Sequence, residues 1–430
     1  METTENITIY LPGGAILAQQ NDKLIRARGI KYAHARRFEK PRAATSWDGV
    51  QDCTQPASVC VQNPSRLGPV TGNLEGNRVQ TEDCLHVSVV APSSARAAPV
   101  MVFLHGGAYV TGGGDVDAYS PHALASRGVV AVTVTYRLGV FGYLPIPNLA
   151  PANLGFLDQI EALRWVQKNI EAFGGDPTNV TVFGQSAGAD AIYCLMVADD
   201  TDNLFHRAIM QSLPLGRLSD ENRHEMTRAM SLHAIQSSSP ENLAKAPASA
   251  LLDLQKQLLG VARSVSPALL PFVPIFGEHP LPTEDHLSER FVSAARRKPL
   301  FLGYTANEGT AFKHFASSAQ DSAYFYNLFQ GSTDGVIEQI SREIGQVPPS
   351  YEVRWYPKGN NDLQATHCLE LPFILGDWFA WREAPMLQGA NSQEVVEKVG
   401  VAAKDLWVAF ARGETLADRK FIIDENFRFP

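Results

Sequence analysis

The 430-residue sequence has few cysteines and no excess of positive charge. Its five cysteines are an odd number for a long chain, and no pair has zinc-finger or Cys-x-x-Cys spacing. A disulfide scaffold is therefore excluded, and no metal or cofactor is predicted. The net charge of -8 and the lack of lysine or arginine clusters argue against a nucleic-acid partner, because an acidic surface repels phosphate backbones.

Long hydrophobic runs and a leader pattern are also missing. The most apolar stretch, 129–144, is interrupted by Arg137 and by glycines, so no membrane span is predicted. The first twenty residues have no basic region followed by an apolar one, so no signal peptide is predicted. We expect a cytoplasmic protein, although a secreted mature form would have the same pattern. We expect it to be a monomer or a weak homo-oligomer.

Short apolar runs alternate with segments of helical periodicity. The near-continuous apolar runs favour a parallel sheet covered on both faces, and the strand–helix alternation favours a doubly wound α/β fold. We predict one domain over residues 1–430, with a helical insertion at about 213–290 over the carboxyl edge of the sheet. The predicted strands are 100–104, 129–136, 180–183, 208–210 and 300–302, and the predicted helices include 153–173, 187–197 and 395–411.

A serine motif gives the strongest chemical signal. Residues 184–188 (GQSAG) have the form G-x-S-x-G and lie between a predicted strand and a predicted helix. This is the context of a nucleophile elbow, a tight turn whose small flanking residues leave room for a strained serine. The N-terminus of the following helix favours the negative charge that develops during attack. We therefore predict Ser186 as a nucleophile.

A second motif, HGGAY at residues 105–109, directly follows the predicted strand 100–104. Acyl transfer needs backbone N–H donors aimed at an oxyanion, and small residues let the backbone approach a substrate carbonyl closely. The motif therefore predicts an oxyanion loop. The glycines at 112–114 lack the Gly-Lys-Ser/Thr of a phosphate-binding loop and indicate a flexible loop instead.

Several motifs, taken in order, resemble the type B carboxylesterases, a family that includes the cholinesterases. They are RF (37–38), EDCL (82–85), HGGAY (105–109), YRLGVFGYL (136–144), NLGFLDQ (153–159), FGGDP (173–177) and GQSAGA (184–189). The resemblance begins near Gly29, is close in the first half and is loose beyond about residue 300. It implies an α/β-hydrolase fold, with a mostly parallel sheet and helices on both faces. It also implies a serine hydrolase that cleaves carboxylic esters.

The resemblance implies a catalytic triad in the order serine, glutamate, histidine. The family's acid lies in an N-E-G loop, where this chain has Glu308. Its histidine lies in an A-x-H-x-x-E-L segment, where this chain has His367. The α/β-hydrolase topology independently requires the order nucleophile, acid, histidine. The alternatives are Asp285 for the acid and His279, His286 or His314 for the histidine.

Motif alignment with the family also implies the oxyanion donors. They are the backbone N–H groups of Gly107, Ala108 and Ala187, with Gly106 as the alternative if the register differs by one. The same resemblance implies two ion pairs, Arg37–Glu82 and Arg137–Asp158. It also implies the cysteine pair Cys60–Cys84, which intracellular members can keep as reduced thiols, and Cys53 is an additional thiol that complicates this pairing.

Three features depart from the family pattern. Gln185 replaces the glutamate that commonly precedes the serine, so a negative charge beside the histidine is lost. The protonated histidine should therefore be less stable than it would be beside a glutamate. The segment 61–83 has no aromatic residue, so choline esters, which bind aromatic faces through their cationic group, are poor candidates. The interval from Glu308 to His367 is shorter than is usual in the family, whose additional residues help to wall the active site.

The sequence therefore predicts an enzyme that hydrolyses a small-molecule carboxylic ester through an acyl-enzyme. The same triad could act on amides, carbamates or lactones instead. A non-catalytic, cholinesterase-like binding protein is a further alternative. It is disfavoured because serine, glutamate and histidine are all present. The acyl and alcohol preference is not predictable, because the divergent segments 211–290 and 310–365 form those pockets.

Overall fold

The computed structural model describes residues 4–21, 23–215, 221–266, 270–313, 324–325, 327–416 and 419–429. Its strands alternate with helices along most of the chain. The strands are β1 (Glu5–Leu11), β2 (Gly14–Gln20), β3 (Leu24–Lys31), β4 (Ala33–His34), β5 (Arg42–Ala43), β6 (Val50–Asp52), β7 (His86–Pro92), β8 (Ala98–Leu104), β9 (Val130–Val134), β10 (Gly175–Gln185), β11 (Arg207–Gln211), β12 (Leu300–Thr305), β13 (Ser350–Val353) and β14 (Lys420–Ile423).

Twelve of these strands form one mixed sheet within the described ranges. The order is β1-β2-β3-β7-β9-β8-β10-β11-β12-β13-β14, with β6 added beside β2, while β4 and β5 form a separate ribbon. Neighbouring strands from β9 to β14 run parallel, whereas β1, β2, β3 and β7 pair antiparallel. The carboxyl ends of the parallel strands therefore meet at one edge, where such sheets bind ligands.

Most of the helices lie between the strands of the parallel part, including the segment that follows β11, and Gly68–Thr71 lies between β6 and β7. The longer α-helices are Leu154–Asn169, Ala187–Val197, Glu221–Ser237, Ala248–Val265, Leu287–Arg297, Ser332–Ile344 and Ser392–Arg412. The shorter ones are Gly68–Thr71, His122–Ala125, Gly139–Gly142, Pro240–Lys245, Leu371–Ile374 and Trp378–Trp381. Within the described residues, none of the helices is both long enough and apolar enough to cross a membrane.

The parallel strands bury side chains on both faces of the sheet. In β8, Val100 and Val102 belong to one core cluster, while Met101 and Phe103 belong to another. Successive side chains of a strand point to opposite faces, so an unbroken apolar run places apolar groups in both clusters. The helices Leu154–Asn169 and Ala187–Val197 contribute to the first cluster, and the helix Ser392–Arg412 contributes to the second.

The predicted α/β-hydrolase fold is confirmed, with differences at the ends of elements. The strand β10 begins at Gly175, earlier than the predicted residue 180, and its register with β8 shifts between Gly175 and Val180. The predicted helix 153–173 changes at Ile170 into a 3-10 turn. Gly174 ends that turn with φ 74°, a left-handed conformation that glycine adopts without strain.

Candidate active site

Ser186 lies in a sharp turn between β10 and the helix Ala187–Val197. Its φ of 56° and ψ of -121° fall in a region that non-glycine residues rarely occupy, and such strain is often found at functional sites. A Cβ on Gly184 would lie 2.7 Å from the backbone of Gly188, and a Cβ on Gly188 would lie 2.0 Å from the carbonyl oxygen of Leu104. The two glycines of the G-x-S-x-G motif are therefore required by close backbone packing. Ser186 remains partly exposed although its neighbours are buried.

Glu308 and His367 are in direct contact. The Nδ1 atom of His367 lies 2.5 Å from Oε2 of Glu308, and both side chains are fully buried. Glu308 begins the 3-10 turn Glu308–Phe312 directly after β12, so its carboxylate lies near the carboxyl edge of the sheet. Because a carboxylate accepts hydrogen bonds, the proton of a neutral His367 belongs on Nδ1, which leaves the lone pair of Nε2 free to accept.

Two further residues fix the Glu308 carboxylate. Its Oε1 atom accepts hydrogen bonds from the hydroxyl of Ser212 at 2.6 Å and from the backbone N–H of Thr305 at 2.8 Å. Ser212 and Thr305 were not predicted as site residues from the sequence. The signal for Ser212 was its place just after the predicted strand 208–210, at the same sheet edge as the predicted nucleophile Ser186.

The second ring nitrogen of His367 contacts Gln185. Its Nε2 atom lies 3.0 Å from the side-chain nitrogen of Gln185, the residue immediately before Ser186. The amide therefore donates to the same lone pair that a serine hydroxyl would use. Ser186 Oγ itself makes no hydrogen bond within the described residues. From the sequence, Gln185 was expected only to remove a charge beside the histidine, and this contact was not predicted.

A second carboxyl group, that of Glu370, is buried near this centre. Burial, with a smaller contribution from the nearby Glu308 carboxylate, raises the pKa of Glu370 to about 8. One of its oxygens accepts a hydrogen bond from the amide of Gln211 at 3.4 Å. Glu370 is therefore mostly neutral at pH 7, so it adds little negative charge beside Glu308. It corresponds to the glutamate of the A-x-H-x-x-E-L segment, to which the sequence analysis gave no role of its own.

The loop after β8 packs directly against the turn at Ser186. A Cβ on Gly106 would lie 2.8 Å from the carbonyl oxygen of Gln185 and 3.3 Å from Cβ of Ser186. Gly107 has φ 108°, and a Cβ there would lie 2.1 Å from the carbonyl oxygen of Thr111. That carbonyl lies within a tight turn in which the N–H groups of Val110 and Thr111 both donate to Gly107 O. The small residues of the HGGAY motif are thus explained by close approach of the backbone.

His105 orients the peptide group between Gly106 and Gly107. Burial lowers the pKa of His105 to about 4, so the ring is neutral, and Nδ1 donates to the carbonyl oxygen of Gly106 at 2.8 Å. In a trans peptide the N–H points opposite to the C=O, so the N–H of Gly107 points away from His105. The N–H groups of Gly107 and Ala108 donate no hydrogen bond to any described residue. Ala187 begins its helix, so its N–H has no partner within that helix.

The alternative acid and histidines lie elsewhere or outside the described residues. The side chain of Asp285 is 74% exposed and pairs with His286 at 3.1 Å. His279 is exposed as well. His314 lies outside the described residues. The structure brings together Glu308 and His367, and it places neither Asp285 nor His286 against them.

The pairs implied by the family resemblance are formed in three places. Arg137 binds Asp158 in the interior through two hydrogen bonds of 2.7 and 2.8 Å, and the Nε atom of Arg37 donates to Glu82 at 2.8 Å. The buried cysteines Cys60 and Cys84 are neighbours as free thiols. Within the described ranges, no three histidine, cysteine or acidic side chains form a group that could hold a metal ion.

Comparison with known proteins identifies the family. The model of the "Carboxylesterase family" matches residues 11–343, more than half of the chain. The protein belongs to the carboxylesterase family. The matched region of this carboxylesterase includes Ser186 and Glu308 and ends before His367. It is a carboxylic-ester hydrolase, as its sequence motifs predict.

Individual relatives of this carboxylesterase cover nearly all of the chain. A probable N-octanoylanthranilate hydrolase of Rhodococcus erythropolis is 33% identical over 96% of this chain and 94% of its own. The para-nitrobenzyl esterase of Bacillus subtilis is 32% identical over 90% of this chain and 85% of its own. A solved structure of a thermophilic PNB esterase superposes with a TM-score of 0.82 at 28% identity, covering 97% of this chain and 96% of that one.

Proposed function

We propose that this carboxylesterase hydrolyses esters through an acyl-enzyme on Ser186, with His367 as general base and acid and Glu308 as the residue that orients it. One observation carries the proposal: His367 binds Glu308 through Nδ1, while its Nε2 reaches the residue directly before Ser186. The imidazole of His367 thus lies between the buried carboxylate of Glu308 and the turn that carries Ser186. Ser, His and a carboxylate in these roles form the catalytic unit of acyl-transfer hydrolases.

The proposed acylation step begins when the substrate carbonyl enters the site. His367 Nε2 leaves the Gln185 amide and accepts the proton of Ser186 Oγ, while Oγ forms a bond to the acyl carbon. The resulting imidazolium is stabilised by Glu308, and it then donates the same proton to the departing alcohol oxygen as the ester bond breaks. Water repeats the sequence with the acyl-enzyme, releases the acid and restores Ser186.

The negative oxygen of the tetrahedral intermediate is proposed to bind the backbone N–H groups of Gly107, Ala108 and Ala187. Two features support this set. The first two groups donate to no described residue, and the third lies at a helix N-terminus, where the backbone dipoles favour negative charge. Gly106 fits the role less well, because its backbone is packed against Gln185.

Residues 213–290 are proposed to form a cover over this edge of a single-domain protein. The helix Ala248–Val265 is held to the scaffold through Gln255, whose side-chain oxygen accepts from the N–H of Val140 at 2.9 Å. Asn153 ties the end of the segment, because its amide donates to Ile275 O and Glu278 O at 3.0 and 2.9 Å. These contacts support a cover that is fixed to the body of the protein.

Amide hydrolysis is a second candidate, because one relative is named for an N-acyl substrate, N-octanoylanthranilate. The two reactions share every proposed step. They differ in the leaving group, which is an amine in amide hydrolysis and an alcohol in ester hydrolysis. An amine leaves less readily than an alcohol and depends more on protonation by His367. Ester hydrolysis remains the proposed main activity, because the family and the para-nitrobenzyl esterase relative are both named for esters.

The purified protein is expected to react with a fluorophosphonate probe at Ser186 and to hydrolyse p-nitrophenyl acetate faster than p-nitroacetanilide. Mass spectrometry of the labelled peptide locates the modified residue, and the two chromogenic assays measure the preference. Faster cleavage of the anilide would reverse the order of the two candidates. A protein that stays unlabelled and hydrolyses neither compound would contradict the proposed mechanism.

Gln185→Glu is expected to move the acidic limb of the kcat/KM profile to higher pH. A carboxylate beside Nε2 would stabilise the protonated imidazole. Because only the neutral imidazole can act as a base, activity would be lost at a higher pH as the solution is acidified. The control variant is Gln55→Glu, which adds the same charge at an exposed residue that is distant from Gln185 in the sequence. Superimposable profiles for wild type and Gln185→Glu would show that Gln185 does not face the working base.

A further inference from the structure

A buried hydrogen bond joins the oxyanion loop to the helix that follows Ser186. The hydroxyl of Tyr109 donates to Oδ2 of Asp190, and the two residues are 1% and 0% exposed. Asp190 lies in the first turn of the helix Ala187–Val197, and its backbone N–H donates to the carbonyl oxygen of Ser186 at 3.0 Å. The pair therefore connects the two segments that carry the proposed oxyanion donors.

The loop needs external support because of its backbone conformation. Ala108 and Tyr109 have φ values of 53° and 58°, directly after Gly107 at 108°. A bulky residue at positive φ is an outlier, and such residues persist only where the surroundings hold them. Contacts on three sides help to hold Tyr109: its carbonyl oxygen accepts from Gly139 N–H at 2.6 Å, its ring centroid lies 4.6 Å from that of Tyr143, and its hydroxyl binds Asp190.

The bond to Asp190 links the loop to the nucleophile side of the site. Asp190 is three residues after Ala187, about 4.5 Å along the helix axis, so it moves with Ala187 as one rigid turn. A carboxylate is a strong acceptor for a phenol, and the first turn of a helix stabilises its negative charge. The contact thus fixes Tyr109, and the peptide groups just before it, relative to the turn at Ser186.

We infer that Asp190 is a positioning residue that acts through Tyr109: it sets the distance between the N–H groups of Gly107 and Ala108 on the loop and that of Ala187 on the helix, so that all three converge on the oxyanion. This inference rests on the proposed function, because it requires that oxyanion hole. Asp190 touches no reacting atom in this role. Its effect is on the transition state, where negative charge develops on the carbonyl oxygen, rather than on the ground state.

Tyr109→Phe tests the inference, because it keeps the ring against Tyr143 and removes only the hydroxyl. We expect kcat for an ester to fall about ten- to a hundredfold, since small misplacements of catalytic groups have effects of that size. KM should stay within about twofold. The affinity of a trifluoromethyl ketone, whose serine adduct carries an oxyanion, should fall by the same factor as kcat/KM.

Tyr32→Phe is the matched control. Tyr32 is also 1% exposed, and its hydroxyl donates to the carbonyl oxygen of Thr135 at 2.9 Å, not to the helix Ala187–Val197. Its loss should leave kcat and the ketone affinity unchanged. An equal loss in Tyr32→Phe and Tyr109→Phe would mean a general effect on folding, and it would overturn the inference. A rise in KM with unchanged kcat would do so as well.

A double-mutant cycle assigns the effect to the pair. If the Tyr109 hydroxyl acts through Asp190, the variant with both Tyr109→Phe and Asp190→Ala should be no slower than Asp190→Ala alone. Effects on kcat that multiply would show that the two side chains act independently, against the inference.

The proposed function and this inference fail differently. If the proposed function is wrong, the wild type itself is not labelled by a fluorophosphonate and does not bind the ketone. That result would contradict both the proposed function and the inference about Asp190. If only the inference is wrong, the wild type is labelled and inhibited, and Tyr109→Phe matches it in both the labelling rate and ketone affinity.

Discussion

Ser186→Ala is expected to lower the turnover of p-nitrophenyl acetate about 10⁴-fold or more, which is the usual cost of removing the nucleophile of a triad. The variant should fold, because alanine keeps the Cβ and the removed Oγ makes no hydrogen bond within the described residues. The backbone contacts of this turn, from Ser186 N–H to Gln211 O at 2.9 Å and from Asp190 N–H to Ser186 O, do not depend on the side chain.

The measurement is kcat for the ester, together with fluorophosphonate labelling and a thermal melt. Ser126→Ala is the control, because Ser126 is exposed and its hydroxyl only caps the carbonyl of His122. It should retain wild-type turnover and labelling. Near wild-type hydrolysis by purified Ser186→Ala would remove Ser186 from the mechanism and leave the family assignment in place.

The sheet was predictable where strands are buried on both faces and not where they are short or lie at an edge. The runs that became β8, β9, β10, β11 and β12 are apolar almost throughout, because each side chain enters one of two cores. Strand β1 alternates exposed and buried side chains from Thr8 to Leu11, a pattern that a search for continuous apolar runs overlooks. Strands β13 and β14 have four residues each, too few to establish a period.

The sequence predicts where the candidate site lies, but it does not predict the hydrogen bonds of that site. The G-x-S-x-G and HGGAY motifs are local, because sharp turns next to strands require small residues at fixed offsets. By contrast, Ser212 and Glu308 are 96 residues apart, and Tyr109 and Asp190 are 81 apart. Such partners are chosen by the packing of separate strands and helices, and no local pattern encodes that choice. The contact of Gln185 with His367 belongs to the same class.

Glu308→Gln is expected to lower turnover about 10⁴-fold by placing the proton of His367 on the wrong nitrogen, the size of effect seen when a triad carboxylate becomes an amide. In the wild type, Oε1 accepts from Ser212 and from Thr305 N–H, while Oε2 faces His367 Nδ1. Glutamine has one oxygen and one NH₂ group in place of two acceptors. The backbone N–H of Thr305 cannot accept a hydrogen bond, so it requires the oxygen on its side.

The NH₂ group that Glu308→Gln introduces would then face Nδ1 of His367 and donate to it. A neutral imidazole that accepts at Nδ1 carries its proton on Nε2, so it can no longer take the proton of Ser186. Nitrogen chemical shifts of ¹⁵N-labelled histidine report the tautomer directly: we expect the proton on Nδ1 in the wild type and on Nε2 in the variant. KM and the melting curve should change little, since the amide has nearly the same shape.

Two companion variants separate the role of Glu308 from a general effect of charge. Glu308→Asp keeps the carboxylate but shortens the side chain by one methylene, so it cannot hold Ser212, Thr305 and His367 at once, and its turnover should be intermediate. Asp285→Asn removes one charge from an exposed residue that pairs with His286, and its turnover should equal that of the wild type. If Asp285→Asn were inactive while Glu308→Gln kept its activity and its Nδ1 proton, Asp285 would be the acid. The proposed role of Ser186 would stand in either case, because the turn between β10 and the helix Ala187–Val197 is formed independently of the loop that carries the acid.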